Sequence, residues 1–154
     1  MADERGGRKT VASNRKARHE FEILDTMEAG LVLKGPEVKS IRDGKVSLAE
    51  AFARVDDGEV WLHGMHVTPY DPASRWNVDP TRPRKLLLKG GEIRRLIGAT
   101  QEKGLTLVPL ELYFRRGYAK VALGLARGKK LHDKREALKR RMHQREMERE
   151  IRKY

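Results

Sequence analysis

Two predicted β-hairpins constrain the fold of this chain more than any other feature of its sequence. The segment AFARVDDGEVWLHGMHV (51–67) carries apolar residues on both sides of Asp57-Gly58, a two-residue turn typical of hairpins. The segments LTLVPLELYF (105–114) and AKVALGLA (119–126) predict a second hairpin through residues 115–117. Hairpin strands pair antiparallel, and a small antiparallel sheet hides its edges best by closing on itself. The sequence therefore predicts a mainly β protein built as a small antiparallel β-barrel.

Alternation along the second hairpin predicts which side chains share a face. Two apolar rows are expected: Leu110, Leu112 and Phe114 on the first arm, and Val121, Leu123 and Leu125 on the second.

Upstream, FEILDTMEAGLVLKG (21–35) predicts strands over 21–24 and 31–33. They would be joined through Glu28-Ala29-Gly30, with Gly30 free to adopt a positive φ. With Leu86–Leu88, the count is about six strands.

Two or three short helices are expected around the barrel. One is framed by Pro36 and Gly44, with Val38 and Ile41 one turn apart. A second is predicted from an apolar face that ends before Gly104: Ile93, Leu96, Ile97 and Thr100. Residues 68–84 contain four of the six prolines and predict a long surface loop.

Charge is concentrated at the two ends of the chain. The net charge is +12, of which residues 1–19 carry +4 and residues 128–154 carry +6. Such an asymmetry indicates a polyanionic partner, because neutralised phosphates release counterions. We expect a flexible basic arm over 1–13, a barrel over 14–127 and a basic tail over 128–154.

Several classes of protein are disfavoured. The chain has no cysteine, which excludes disulfides, thiolate zinc sites and thiol nucleophiles. The N-terminal residues lack the apolar stretch of a secretory signal, and no apolar run approaches the ~20 residues that span a bilayer. We expect a cytoplasmic protein without a membrane partner.

Catalytic and cofactor motifs are also missing. Gly44-Lys45-Val46-Ser47 lacks the upstream glycine of a phosphate-binding loop. His63 and His66 are three residues apart on a predicted strand, so they would point to opposite faces and could not chelate one metal ion. His132 and Asp133 could serve a nuclease, but nothing nearby would hold them in catalytic geometry. We expect no catalytic residue, metal, cofactor or small-molecule substrate.

Four collinear stretches carry a family resemblance: NRKARHEF (14–21), EAGLVLKGPEVKSIRDGK (28–45), DPTRPRKLLL (79–88) and GKKLHDKRE (128–136). Together they resemble the SsrA-binding protein family of bacterial trans-translation. The resemblance implies an OB-like barrel that binds the tRNA-like domain of transfer-messenger RNA (tmRNA) and delivers it to stalled ribosomes. It also implies that the free protein is a monomer.

The resemblance assigns tmRNA contacts to Asn14, His19, Glu28, Leu87 and Lys120, with Arg15, Lys16 and Arg18 in the same basic segment. Alternatives remain for three of them. Asn14 could be a helix cap or turn residue, Glu28 a turn carboxylate beside Gly30, and Leu87 a core residue. Glu28 would repel phosphate, so its expected role is to accept hydrogen bonds from base amino groups.

The tail is implied to enter the decoding centre of the small subunit and the empty mRNA channel. Its expected contacts are Gly128, Lys129, Lys130, His132, Asp133, Lys134 and Arg135. Gly128 would act as a hinge, His132 as a stacking ring and Asp133 as a helix cap. The apolar stripe from Leu138 to Tyr154 is too thin to form a core, so we expect a tail that is disordered when free and helical on the ribosome.

Two sequence features, Gly90-Gly91 and Trp76, and two alternative functions complete the expectations. Gly90-Gly91 departs from the family's bulkier residues, so the second helix is expected to start loosely, and Trp76 is assigned no role. The rival function is a structural, ribosomal-type protein that binds rRNA through its basic ends. A nuclease is the third.

Overall fold

The computed structural model describes residues 8–70, 78–102 and 104–128, together with positions 142, 143, 145 and 147. Twelve elements follow one another along the described chain: β1 (Arg8–Ser13), α1 (Arg15–Glu20), β2 (Phe21–Leu31), α2 (Gly35–Arg42), β3 (Val46–Ser47), β4 (Phe52–Asp56), β5 (Glu59–His63), β6 (His66–Val67), β7 (Arg84–Leu87), α3 (Gly90–Thr100), β8 (Leu105–Arg115) and β9 (Tyr118–Gly128).

Seven of the strands form one antiparallel sheet in the order β1-β8-β4-β5-β7-β2-β9. An additional pairing between β8 and β9 joins the last strand of this order back to β8, so the sheet becomes a ring. Strands β3 and β6 form a separate two-stranded sheet. The predicted class is confirmed as mainly β, with an antiparallel ring of strands and a few short helices.

Both predicted hairpins are present. In the first, Asp57 and Gly58 have φ of 51° and 77° and connect β4 to β5. In the second, Arg116 and Gly117 have φ of 52° and 82° and connect β8 to β9. Positive φ at both central residues matches the right-handed twist of the paired strands.

The prediction of two short strands around Gly30 is wrong, because residues 21–31 form the single strand β2. Gly30 lies within this strand and does not adopt a positive φ. It pairs with Lys120 of β9 on one side and with Leu87 of β7 on the other. A Cβ at Gly30 would lie 3.3 Å from the Cβ of Leu87, so the glycine is explained by a close approach rather than by a turn.

The predicted row of Leu110, Leu112 and Phe114 is wrong for Leu110. A register shift between Pro109 and Glu111 inserts one extra residue into β8. Consequently Leu112 packs into the barrel interior, whereas Leu110 packs into a second cluster on the outside. A bulge reverses the facing of every later residue, and proline is tolerated at such a position.

The opposite row on β9 is confirmed. Val121, Leu123 and Leu125 all pack toward the main core of the barrel.

The expected flexible arm differs from the structure over residues 8–13. These residues form β1, which pairs with the second half of β8 from Arg8 opposite Arg115 to Ser13 opposite Glu111. Val11 and Ala12 pack against the core. An open strand edge with two apolar side chains nearby explains why this polar segment is ordered in the sheet. The other expected domain limits stay predictions.

The second, outer cluster attaches α1 to the sheet. Ala17 of α1 packs against Val108, Leu110 and Ala126. Strand β8 contributes Leu107 and Leu112 to the interior and Val108 and Leu110 to the exterior, so it serves both clusters.

The two predicted helices are confirmed as α2, with proline in its first turn, and α3. Glu92 accepts a hydrogen bond from the Lys89 backbone N–H at 3.1 Å. This contact caps the N-terminus of α3, so the helix does not start loosely at Gly90. Residues 68–70 and 78–83 contain no helix or strand, as expected for the loop.

A buried ion cluster joins α2 to β7. Arg84 is 0% exposed and donates from Nε to Oε2 of Glu37 at 2.6 Å. Its Nη1 and Nη2 donate to the carbonyls of Met65 at 2.7 Å and Pro80 at 3.0 Å. Burial alone raises the pKa of Glu37, but hydrogen bonds from Arg82, the Lys34 N–H and Arg84 together hold its pKa below the usual value.

Candidate nucleic-acid interface

Asn14 is a structural residue at the start of α1. It is 3% exposed, and its Oδ1 accepts from the Ala17 N–H at 3.1 Å. Its Nδ2 donates to the carbonyls of Leu48 at 3.1 Å and Pro109 at 2.9 Å. These three bonds use both amide hydrogens and one lone pair of Oδ1, so Asn14 is the helix cap that the alternative described. Its contact with tmRNA stays a prediction.

The basic residues of the same segment are presented to solvent by α1. Arg15, Lys16, Arg18 and His19 are all exposed, while Ala17 is buried beneath them. Lys16 pairs with the exposed Glu50 at 2.9 Å. Asn14 and Ala17 therefore anchor a short helix whose remaining surface is cationic.

Lys120, Gly30 and Leu87 lie side by side on the outer face of the barrel, on β9, β2 and β7 respectively. Leu87 is 53% exposed, whereas its neighbour Leu86 is buried in the core. The core alternative for Leu87 is therefore wrong, because the pleat turns it outward. Three strands separated in sequence bring an apolar side chain and a cation to one surface.

Glu28 lies on the same outer face, two residues before Gly30 on β2. It is part of β2 and pairs with Ala122, so it is not a turn carboxylate. Its Oε2 accepts from the Tyr113 hydroxyl at 2.5 Å and from Nη1 of Arg115 at 2.6 Å. Its Oε1 has no hydrogen bond with the described part of the chain and can accept from a ligand.

Tyr113 sits at the centre of the network around Glu28. Its side chain is buried, and the guanidinium of Arg8 lies 4.5 Å from the ring centroid. Burial, followed by the hydrogen bond and charge of Glu28, raises the pKa of Tyr113 to about 12. The hydroxyl is therefore a permanent donor near neutral pH. Arg8 also forms an ion pair with Glu111.

No sequence motif pointed to Tyr113, Arg115 or Arg8. The first two could have been found by counting from the hairpin turn, because a turn at Arg116-Gly117 places Tyr113 opposite Lys120. Arg8 could not, since its strand was not predicted.

The tail residues are only partly described. Gly128 is the last residue of β9 and pairs with Phe21. Lys129, Lys130, His132, Asp133, Lys134 and Arg135 lie outside the described residues, as does Trp76. Met142 and Met147 are 56% and 53% exposed.

Two further findings concern only the described part of the chain. No group of three or more histidine and carboxylate side chains is arranged to hold a metal ion. None of the helices has the length and apolar character needed to cross a membrane.

Comparisons with known proteins agree along nearly the whole chain. A family model described as SmpB protein matches residues 11–153. The SsrA-binding protein of Carboxydothermus hydrogenoformans is 56% identical over 144 residues, which cover 94% of this chain and 97% of the relative. That of Synechococcus elongatus is 57% identical over 152 residues, covering 98% of each chain.

A solved structure described as "tmRNA-SmpB: a journey to the center of the bacterial ribosome" contains a similar chain. The two chains are 60% identical with a TM-score of 0.65, over 77% of this chain and 83% of the other. This chain therefore belongs to the SmpB protein family.

Proposed function

We propose that this protein is an RNA-binding adaptor without a catalytic step. It binds the tRNA-like domain of tmRNA and delivers it to stalled ribosomes in the cytoplasm for trans-translation. The observation that carries the proposal is the match to SsrA-binding proteins over 94–98% of the chain. The similar chain in a tmRNA–ribosome structure supports both partners.

The outer face carries the chemistry that such a role needs. Lys120 forms no ion pair with the described residues and offers its charge to a phosphate, and Leu87 offers an apolar surface to an unstacked base. Glu28 is held through Oε2 by Tyr113 and Arg115, so its Oε1, which makes no hydrogen bond with the described residues, is available to accept from a base amino group. Held in this way, the carboxylate supplies selectivity and the cations supply affinity.

The helix α1 extends this surface with a second group of cations. Arg15, Arg18 and His19 are exposed and belong to the element that packs on the same outer side of the barrel. Asn14 contributes indirectly by capping the helix. The tail from Lys129 onward is assigned to the decoding centre and the vacant mRNA channel, where rRNA phosphates would neutralise its charge.

A titration against tmRNA and ordinary tRNA at two salt concentrations tests the proposal. Wild-type protein should prefer tmRNA. Lys120→Ala should weaken binding and reduce the slope of log affinity against log salt by roughly 0.7–0.9. Glu28→Gln should narrow the preference for tmRNA over tRNA. Equal affinity of the wild-type chain for both RNAs would contradict the proposal.

Truncation separates the barrel from the tail. A chain ending at Gly128 retains all of β9 and should bind tmRNA normally, yet fail to support peptide tagging in a translation extract. Lys134→Ala with Arg135→Ala should have the same effect. Sucrose gradients distinguish the rival role, because a structural ribosomal protein would follow the subunits stoichiometrically, even without tmRNA.

A further inference from the structure

The outer face of β4 and β5 carries aromatic side chains that the barrel core does not use. Phe52 is 41% exposed and stacks on His63 of the neighbouring strand. The two ring centroids are 5.3 Å apart and the planes are 14° from parallel. Trp61 lies two residues before His63 on β5, on the same face, and is half-buried. Partly exposed aromatic rings on the outer face of a sheet are suited to stacking against planar ligands.

Cations flank these rings. Arg54 is exposed, lies opposite Trp61 and makes no ion pair with any residue that the structure describes. Lys85 of β7 lies on the other side of Trp61 and pairs with Glu59 at 3.2 Å. A free guanidinium beside aromatic rings fits the alternating phosphates and bases of a single nucleic-acid strand.

This aromatic face is continuous with the surface assigned above to tmRNA. Lys85 and Leu87 are two residues apart on β7, so both side chains point outward. Val32, whose N–H bonds to the Lys85 carbonyl, is 45% exposed and extends the same surface. Because Lys85 lies opposite Trp61, an RNA resting on Leu87 reaches the rings by passing over Lys85, two residues back along β7.

We propose that Phe52, His63, Trp61 and Arg54 form a stacking platform for unpaired nucleotides of the same tmRNA that contacts Leu87 and Lys120. The platform deepens the proposed function and depends on it. The platform ends at the tip of the β4–β5 hairpin, because the carboxylates of Asp56, Asp57 and Glu59 would repel the RNA backbone. The strand therefore runs toward the Phe52 end of the sheet.

Intrinsic fluorescence of the full chain tests the platform directly. The protein has two tryptophans, so Trp76→Phe leaves Trp61 as the sole reporter. Addition of tmRNA should quench Trp61 and saturate at the same RNA concentration as filter binding. An emission unchanged at saturating tmRNA would overturn the proposal.

Substitutions provide a second, independent measurement. Phe52→Leu keeps an apolar side chain but removes the ring, and it should weaken tmRNA binding about five- to a hundredfold. Arg54→Ala should reduce the salt slope by about 0.7–0.9. The matched control is Tyr70→Leu, an aromatic side chain of similar exposure (48%) outside this face, which should change affinity less than twofold.

The outcomes separate this inference from the proposed function. If Phe52→Leu binds like wild type while Lys120→Ala is weakened, the platform is refuted and the adaptor role stands. If wild-type protein shows no preference for tmRNA over tRNA, the adaptor role fails and the platform fails with it.

Discussion

Removal of Arg84 is the sharpest test of how this barrel is held together. The substitution Arg84→Met keeps much of the side-chain volume and deletes three hydrogen bonds, one to Glu37 and two to the carbonyls of Met65 and Pro80. All of these bonds involve a guanidinium that is 0% exposed. Glu37 and Met65 are themselves buried, so water does not readily replace the donors that they lose.

The expected loss of unfolding free energy follows from Glu37, the partner that remains after Arg84 is removed. Glu37 is 2% exposed, so deleting Arg84 leaves a buried carboxylate supported only by Arg82 and the Lys34 N–H. Breaking a buried ion pair on one side costs about 3–5 kcal/mol when the remaining charge is unpaired. Because Arg82 still pairs with Glu37, we expect a cost at the lower limit, about 3 kcal/mol. With a urea dependence of about 2 kcal/mol per molar for a domain of this size, the unfolding midpoint should fall by about 1.5 M.

The assay is urea unfolding followed by circular dichroism, with Arg95→Met as the matched control. Arg95 pairs with Asp25 at 3.0 Å, but both side chains are largely exposed, at 60% and 46%. The same substitution there should cost less than about 1 kcal/mol. If Arg84→Met and Arg95→Met shift the midpoint equally, the buried cluster does not stabilise the fold.

Acid titration checks the same cluster through Glu37. A carboxylate whose pKa is lowered in the folded state contributes stability above its unfolded pKa, near 4.5, and loses it as the pH falls through the folded value. Wild type should therefore lose stability below about pH 4.5. Glu37→Gln should be less stable than wild type at pH 7 and should lose less on acidification. An equal loss in both proteins would contradict the lowered pKa.

Three further predictions concern the site. The pKa of Tyr113 should be about 12 in an ultraviolet titration, above the ordinary value of 10, and Glu28→Gln should lower it. This raised pKa contributes stability that is fully present below pH 10 and is lost as the pH rises toward 12. Asn14→Ala should cost about 2–3 kcal/mol in urea unfolding, since a cap and two buried carbonyl partners are lost together, and a cost near zero would refute the cap. Gly30→Ala should reduce the free energy of tmRNA binding more than the free energy of unfolding, because the added Cβ displaces the exposed Leu87 side chain. An unchanged affinity for tmRNA would show that the position of Leu87 does not matter for binding.

Local patterns determined much of this protein. The turns at Asp57-Gly58 and Arg116-Gly117, the rows of β9 and the helices α2 and α3 all depend on contacts within a few residues or across a tight hairpin. Such contacts leave a period or a turn signature that a single sequence displays. The cationic ends and the family motifs are equally legible, and together they indicated an RNA-binding barrel.

Closure of the barrel decided the rest. The bulge in β8 turned Leu110 outward, and the pairing of β2 with β7 placed Leu87 over Gly30. The fold also buried Asn14 as the cap of α1. The Asn14 bonds to Leu48 and Pro109 join residues 34 and 95 positions apart in the sequence. The physical reason is that facing and burial depend on which strand becomes the neighbour, and only the folded sheet determines that choice.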